Sequence, residues 1–220
     1  MNRTQETIQA LLRSKIVAVL RLKRSTAIAD VTAALLEGGI RCIEVTMTTP
    51  NAIECIEYLA QTPGIVAVGA GTVLTLEQTL QSMQAGATFI VSPVIVEQSI
   101  KAAVENDIAA IPGAMTPTEI YTAMLLGACM VKVFPATALG PSFISAIKAP
   151  LLDVLLMPTG GITADSAPSY LKAGASVLCA GSWLVSDSDV ERGRFADIER
   201  KARQLVTAVA DVPSFETKRM

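Results

Sequence analysis

Ala128-Cys129-Met130-Val131-Lys132-Val133-Phe134, closed by Pro135-Ala136, is an apolar, β-rich run with a lysine near its centre. The run is short and stops at a proline, so it reads as a buried strand. Alternation puts Val131 and Val133 on one face, and Met130, Lys132 and Phe134 on the other. Desolvating an ammonium is costly, so a lysine buried in a strand needs a partner or a task. No other lysine of the chain lies inside such a run. The bland alternative is a lysine at a strand end whose stem packs while its head reaches water.

Apolar runs of the same kind recur outward from this one, at 16–20, 40–46, 66–70, 88–91, 109–111, 154–157 and 177–179. Between them lie helix-length segments with apolar residues three and four apart. With 129–134 this makes a strand–helix unit repeated eight times in roughly 200 residues, which predicts an α/β fold, a (β/α)8 TIM barrel. A doubly wound open sheet, usually with fewer strands, is the runner-up. Ile8, Leu11 and Leu12 stand at helical spacing in the polar start of the chain and predict an extra N-terminal helix over 1–14. Thr75-Leu76-Glu77-Gln78 and Thr116-Pro117-Thr118-Glu119 read as capping boxes, and Thr49-Pro50 as a further helix start. Gly38-Gly39, Gly86, Gly127 and Gly174 follow helical segments, where glycine takes a left-handed conformation at little cost. Nothing marks a linker, so 1–220 reads as one barrel domain, with 211–220 a frayed tail.

Hydrophobic residues make up 51% of the chain and charged residues 17%, the balance of a core-rich globule. A net charge of −2 and 4% aromatic residues give no footing for a nucleic-acid partner. No apolar stretch has bilayer length and no signal-peptide pattern opens the chain, so no membrane partner is expected. Cys42, Cys55, Cys129 and Cys179 are scattered, without C-x-x-C spacing. They fit small buried residues in a reducing, cytoplasmic setting. The chain contains no histidine, which removes imidazole-based zinc sites and Ser-His-Asp catalysis. No metal or cofactor is expected, and the chemistry falls to lysine and carboxyl groups.

In a barrel, chemistry sits at the C-terminal ends of the strands. In Arg41-Cys42-Ile43-Glu44-Val45-Thr46, Glu44 lies opposite Ile43 and Val45, as Lys132 lies opposite Val131 and Val133. Both charges therefore face the interior. A buried Glu–Lys pair adds little net stability, so structure alone is a weak reason to keep one. The chemical reading is an amine nucleophile with a carboxyl proton shuttle. Burial favours the free amine, the amine attacks a ketone, and the iminium that forms is an electron sink. Thr159-Gly160-Gly161-Ile162-Thr163 and Ala180-Gly181-Ser182-Trp183 end the seventh and eighth strands. Glycine there exposes backbone N–H groups to an anion, and plain turns are the alternative. Arg21, at the end of the first strand, reads as a solvated arginine or as a fork for a substrate carboxylate, to which Thr72 could also donate. Phe134 and Pro93 would supply apolar walls.

Ile43-Glu44-Val45-Thr46, Gly69-Ala70-Gly71-Thr72-Val73-Leu74, Ser92-Pro93, Ile111-Pro112-Gly113, the Lys132 run, Pro158-Thr159-Gly160-Gly161-Ile162 and Gly181-Ser182-Trp183-Leu184 occur in this order over nearly the whole chain. Together they resemble the bacterial 2-keto-3-deoxy-6-phosphogluconate (KDPG) / 4-hydroxy-2-oxoglutarate (KHG) aldolases. The resemblance implies a class I, Schiff-base aldolase, usually a homotrimer, that cleaves KDPG to pyruvate and glyceraldehyde 3-phosphate in the Entner–Doudoroff pathway. A sister aldolase acting on 4-hydroxy-2-oxoglutarate or 2-keto-3-deoxy-6-phosphogalactonate is the alternative, and a non-catalytic barrel binding a phosphorylated metabolite is a second. By position, the resemblance makes Lys132 the Schiff-base residue and Glu44 the general acid/base. Thr72 would hold the pyruvate carboxylate, with Pro93 and Phe134 lining the pocket. Thr159, Gly160, Gly161, Gly181 and Ser182 fall at the phosphate end. One departure stands out. Many members carry a carboxylate-binding arginine two residues after Glu-Val-Thr, where this chain has Thr48. Arg21 is expected to replace the missing charge.

Overall fold

The computed structural model describes residues 2–213. Helix α1 (Arg3–Ser14) opens the chain, capped by Asn2, whose side chain accepts from Gln5 N while Gln5 reaches back to Asn2 N. Then come β1 (Ile16–Leu20), α2 (Ile28–Glu37), β2 (Cys42–Thr46), α3 (Ala52–Ala60), β3 (Ala67–Gly71), α4 (Leu76–Gln84), β4 (Phe89–Val91), α5 (Glu97–Glu105) and β5 (Ala109–Ile111). The second half holds β6 (Gly113–Ala114), α6 (Pro117–Leu125), β7 (Val131–Val133), α7 (Ala136–Lys148), β8 (Leu156–Pro158), α8 (Ala167–Lys172), β9 (Leu178–Ala180), α9 (Asp187–Glu191) and α10 (Phe195–Ala210). The result is an α/β fold with a curled parallel sheet. Six strands pair in the order β5-β4-β3-β2-β1-β9 and three in the order β6-β7-β8.

The fifth expected strand is two pieces. Pro112 lies between β5 and β6 and has no N–H for a ladder, but its carbonyl accepts from Lys132 N at 2.9 Å. The two sheets also meet at their other ends. Thr159 bridges to Cys179 in parallel register, and Ser176 N donates to Leu156 O at 2.8 Å.

Alternation along the strands creates two cores. Ile43, Val45, Val131 and Val133 turn outward and pack with helix residues such as Val31, Leu35 and Ile56. Val17, Cys42, Phe89, Ile111, Met130 and Met157 turn inward, and Ile8, Leu11 and Leu12 of α1 pack among them. All three α1 side chains are buried, each worth about 1.5–3 kcal/mol against exposure. Asp107 fastens this helix by accepting from Arg3 N at 2.8 Å and Thr4 N at 3.2 Å.

Local expectations divide by what each side chain finds nearby. Thr116 and Glu119 complete their capping box behind Pro117. Thr75 caps Gln78 N, but Gln78 turns its side chain to Leu74 N, so that box is half made. Thr49-Pro50 does not start a helix. Instead α3 follows Asn51, and Thr49 Oγ1 is engaged across the strands by Leu22 N at 3.1 Å. Gly39, Gly86, Gly127 and Gly174 are left-handed, whereas Gly38 is right-handed. Among the described residues, no helix is long and apolar enough to cross a membrane. Of the expected tail, 214–220 lie outside the described residues.

Candidate active site

Lys132 sits in the middle of β7 and Glu44 in the middle of β2, both on the inner face. Lys132 is 5% exposed and Glu44 0%. Lys132 Nζ stands 3.9 Å from Glu44 Oε1 and 5.4 Å from the centroid of the Phe134 ring. Glu44 Oε1 has no hydrogen-bond partner, while Oε2 lies 4.0 Å from Cys179 Sγ, within reach of a thiol donor. Gly71 makes room for this carboxylate, since a Cβ there would come 1.9 Å from Oε1. An unpartnered buried carboxylate oxygen beside an amine is costly in a resting core, and it is the arrangement a proton shuttle needs.

Above this pair, a cavity of about 330 Å³ is lined by Val19, Arg21, Phe134, Thr159, Gly160, Gly161, Gly181 and Ser182, and extends to Trp183, Ser186 and Asp187. Gly160 and Gly161 have φ of 99° and 70°. A side chain would be strained at both, and a Cβ at Gly161 would fall 2.0 Å from Thr137 Cγ2. Arg21 therefore shares a cavity with the glycine turns. Lys132, Glu44, Thr48, Thr72 and Pro93 are not among its lining residues, and Phe134, whose ring lies 5.4 Å from Lys132 Nζ, links the pair to it. Thr48 Oγ1 is 2.9 Å from Thr46 Oγ1, and Thr46 in turn is 3.4 Å from Thr49 Oγ1. Thr72, just past β3, has φ of 57°, a strained conformation for a β-branched residue.

Burial disfavours the thiolate at the cysteines. Burial pushes Cys42 up to about 11 and Cys129 up to about 12. Burial and then the neighbouring Glu44 charge raise Cys179 further, against the pull of Lys132 and Thr159. Gly71 and Trp183 stand inside the quoted strand-end motifs without an assigned role, and Val19 and Cys179 lie outside the expected site. Val19 and Cys179 were within reach, because alternation places them inward beside Arg21 and Gly181. The crowding at Gly71 has no sequence signal.

A family model described as KDPG and KHG aldolase matches residues 7–201. The chain belongs to this aldolase family. A 2-dehydro-3-deoxy-phosphogluconate aldolase of Treponema pallidum is 36% identical over 202 residues, covering 91% of this chain and 96% of the relative. The KHG/KDPG aldolase of Escherichia coli strain K12 is 38% identical over 198 residues, covering 89% and 92%. A solved structure of KDPG aldolase from Legionella pneumophila, with pyruvate captured at low pH as a covalent carbinolamine, superposes with a TM-score of 0.84 at 29% identity, covering 91% of this chain and 98% of that one. Within the family fold, Lys132 and Glu44 lie mid-strand on the inner face, and the glycine-lined cavity stands at the C-terminal ends of the parallel strands.

Proposed function

We propose that the chain is a metal-independent class I aldolase that cleaves 2-keto-3-deoxy-6-phosphogluconate to pyruvate and glyceraldehyde 3-phosphate. The observation that carries this reading is the buried 3.9 Å ion pair of Lys132 Nζ with Glu44 Oε1, an oxygen without a hydrogen-bond partner, near a glycine-lined cavity. Lys132 adds to the C2 ketone, and loss of water from the carbinolamine gives the iminium. Glu44, through a water, takes the proton of the C4 hydroxyl. The C3–C4 bond breaks, its electrons pass into the enamine, and the aldehyde departs. Proton return to C3 and hydrolysis of the iminium release pyruvate and the amine. Thr72 holds the pyruvate carboxylate, and Pro93 and Phe134 wall the pocket. Gly160, Gly161, Gly181 and Ser182 receive the phosphate beside Thr159. Arg21 supplies the positive charge that position 48 lacks.

Treatment with pyruvate and borohydride tests the mechanism directly. Intact-protein mass is expected to show a reduced pyruvate adduct on wild type and none on Lys132→Ala. No adduct on wild type would overturn the mechanism and favour a barrel that only binds a phosphorylated metabolite. Cleavage of 4-hydroxy-2-oxoglutarate is the second reading, favoured by the dual name of the Escherichia coli relative. Relative kcat/KM on the two substrates and on the phosphogalactonate epimer decides among them.

The same reading takes the sheet as a closed (β/α)8 barrel, supported by the bonds at both sheet junctions, and the chain as one domain. It takes the assembly as a homotrimer, on the ground of the family resemblance. A cytoplasmic setting is supported by four unpaired cysteines. Light scattering on the purified protein gives the subunit count.

A further inference from the structure

One Glu44 carboxylate oxygen lies at the limit of hydrogen-bond reach from Cys179, and the other faces the Lys132 amine. Cys179 Sγ lies 4.0 Å from Oε2, whereas Oε1 has no hydrogen-bond partner and stands 3.9 Å from Lys132 Nζ. Both Glu44 and Cys179 are 0% exposed. The thiol comes from β9, which β1 separates from β2, so it reaches Glu44 across the inner face rather than along a ladder. Burial, then the Glu44 charge, keep the proton on sulfur, which makes the thiol a donor and not a second anion. Cys179 is itself held in register by its parallel bridge to Thr159. A buried carboxylate with neither oxygen held could rotate, and its catalytic oxygen would be misplaced for part of the time.

We infer that Cys179 is a positioning residue, whose thiol donates to Glu44 Oε2 and leaves Oε1 aimed at the atoms bound to Lys132. The inference rests on the aldolase reading above. It goes beyond that reading by making proton transfer, and not Schiff-base formation, depend on a neutral sulfur. A cysteine that merely fills the core would be replaceable by any side chain of its volume.

The test compares wild type, Cys179→Ser, Cys179→Ala and Cys179→Val. Borohydride trapping of pyruvate reads Lys132. Exchange of the pyruvate methyl protons for deuterium, followed by NMR, reads Glu44, because the carboxylate must remove a proton from C3 and return a deuteron. Cys179→Ala is expected to trap pyruvate within about twofold of wild type. Its exchange rate and kcat should fall about tenfold or more, with KM within about twofold. Cys179→Ser should recover most of both rates, because its hydroxyl can donate. Cys179→Val lacks a donor and overfills the site where Cys179→Ala underfills it, so the two should match if the donor is what matters, and the valine variant also serves if the alanine variant fails to fold. Wild-type exchange in Cys179→Val overturns the inference. Parallel loss of trapping and exchange, or a serine variant as slow as valine, overturns it too. Absence of trapping in wild type would instead overturn the aldolase reading.

Discussion

At the N-terminal ends of the strands, Val17, Cys42, Ala67, Met130 and Val177 close on Ile8, Leu11 and Leu12 of α1. At the C-terminal ends of the same inner face stand Glu44, Gly71, Lys132, Thr159 and Gly181, beneath or beside a cavity. One sheet face is thus filled at one end and opened at the other. The filled end gains from apolar burial and asks only for volume. The open end gives up side chains so that two charged ones can be buried with room beside them. Stability and reactivity are therefore separable along the strand direction, and substitutions at the two ends should have different signatures.

Beyond Lys132 itself, the largest expected effect is that of Gly71→Ala. Its Cβ would stand 1.9 Å from Glu44 Oε1, so the carboxylate must shift. A displacement of that order costs about 10²-fold in kcat, with borohydride trapping of pyruvate retained. Equal loss of trapping and turnover would break the separation. At the other end, Leu11→Ala is expected to cost about 2–5 kcal/mol of stability, read in a denaturant titration, with kcat of the folded protein unchanged. Reduced kcat well below the unfolding midpoint would show that the plug also shapes the site.

Thr72→Gly sharpens the comparison at smaller scale. Releasing a β-branched residue from φ of 57° returns about 1–3 kcal/mol, less about 0.5–1 kcal/mol for the freer unfolded glycine. The melting temperature should hold or rise while KM for substrate increases, the trade expected of a strained binding residue. The smallest effect concerns pH at the plug. Partial desolvation opposes ionisation of Asp107, but donation from Arg3 and Thr4 outweighs it and holds the carboxyl below its usual range. Such a group adds stability above its unfolded pKa of about 3.9 and loses it as pH falls through the lower folded value. Acidification below about pH 4 should therefore lower the melting temperature less in Asp107→Asn than in wild type.

The inward aim of Lys132 and Glu44 was legible in the sequence, because a period of two assigns faces without knowledge of partners. The apolar stripe of α1 and the left-handed glycines were legible for the same local reason. What escaped depends on distant segments. Thr49-Pro50 has the local form of a helix start, but the Thr49 hydroxyl accepts from Leu22 N. The Cys179–Glu44 contact joins residues 135 positions apart, and no spacing encodes it. That Arg21 lines the cavity of Gly160 and Gly161 likewise follows from strand order, since β9 and not β3 is the second neighbour of β1.

Helix α1 closes the lower end of the inner face, so traffic has one doorway, and a single doorway imposes a queue. Under the proposed reaction the phosphorylated fragment lies nearer the exit, by the glycine turns, while the three-carbon fragment stays tethered to Lys132 behind it. The aldehyde must leave before pyruvate can. In the reverse direction pyruvate must enter first, so the enzyme should load pyruvate in the absence of any aldehyde and refuse the opposite order.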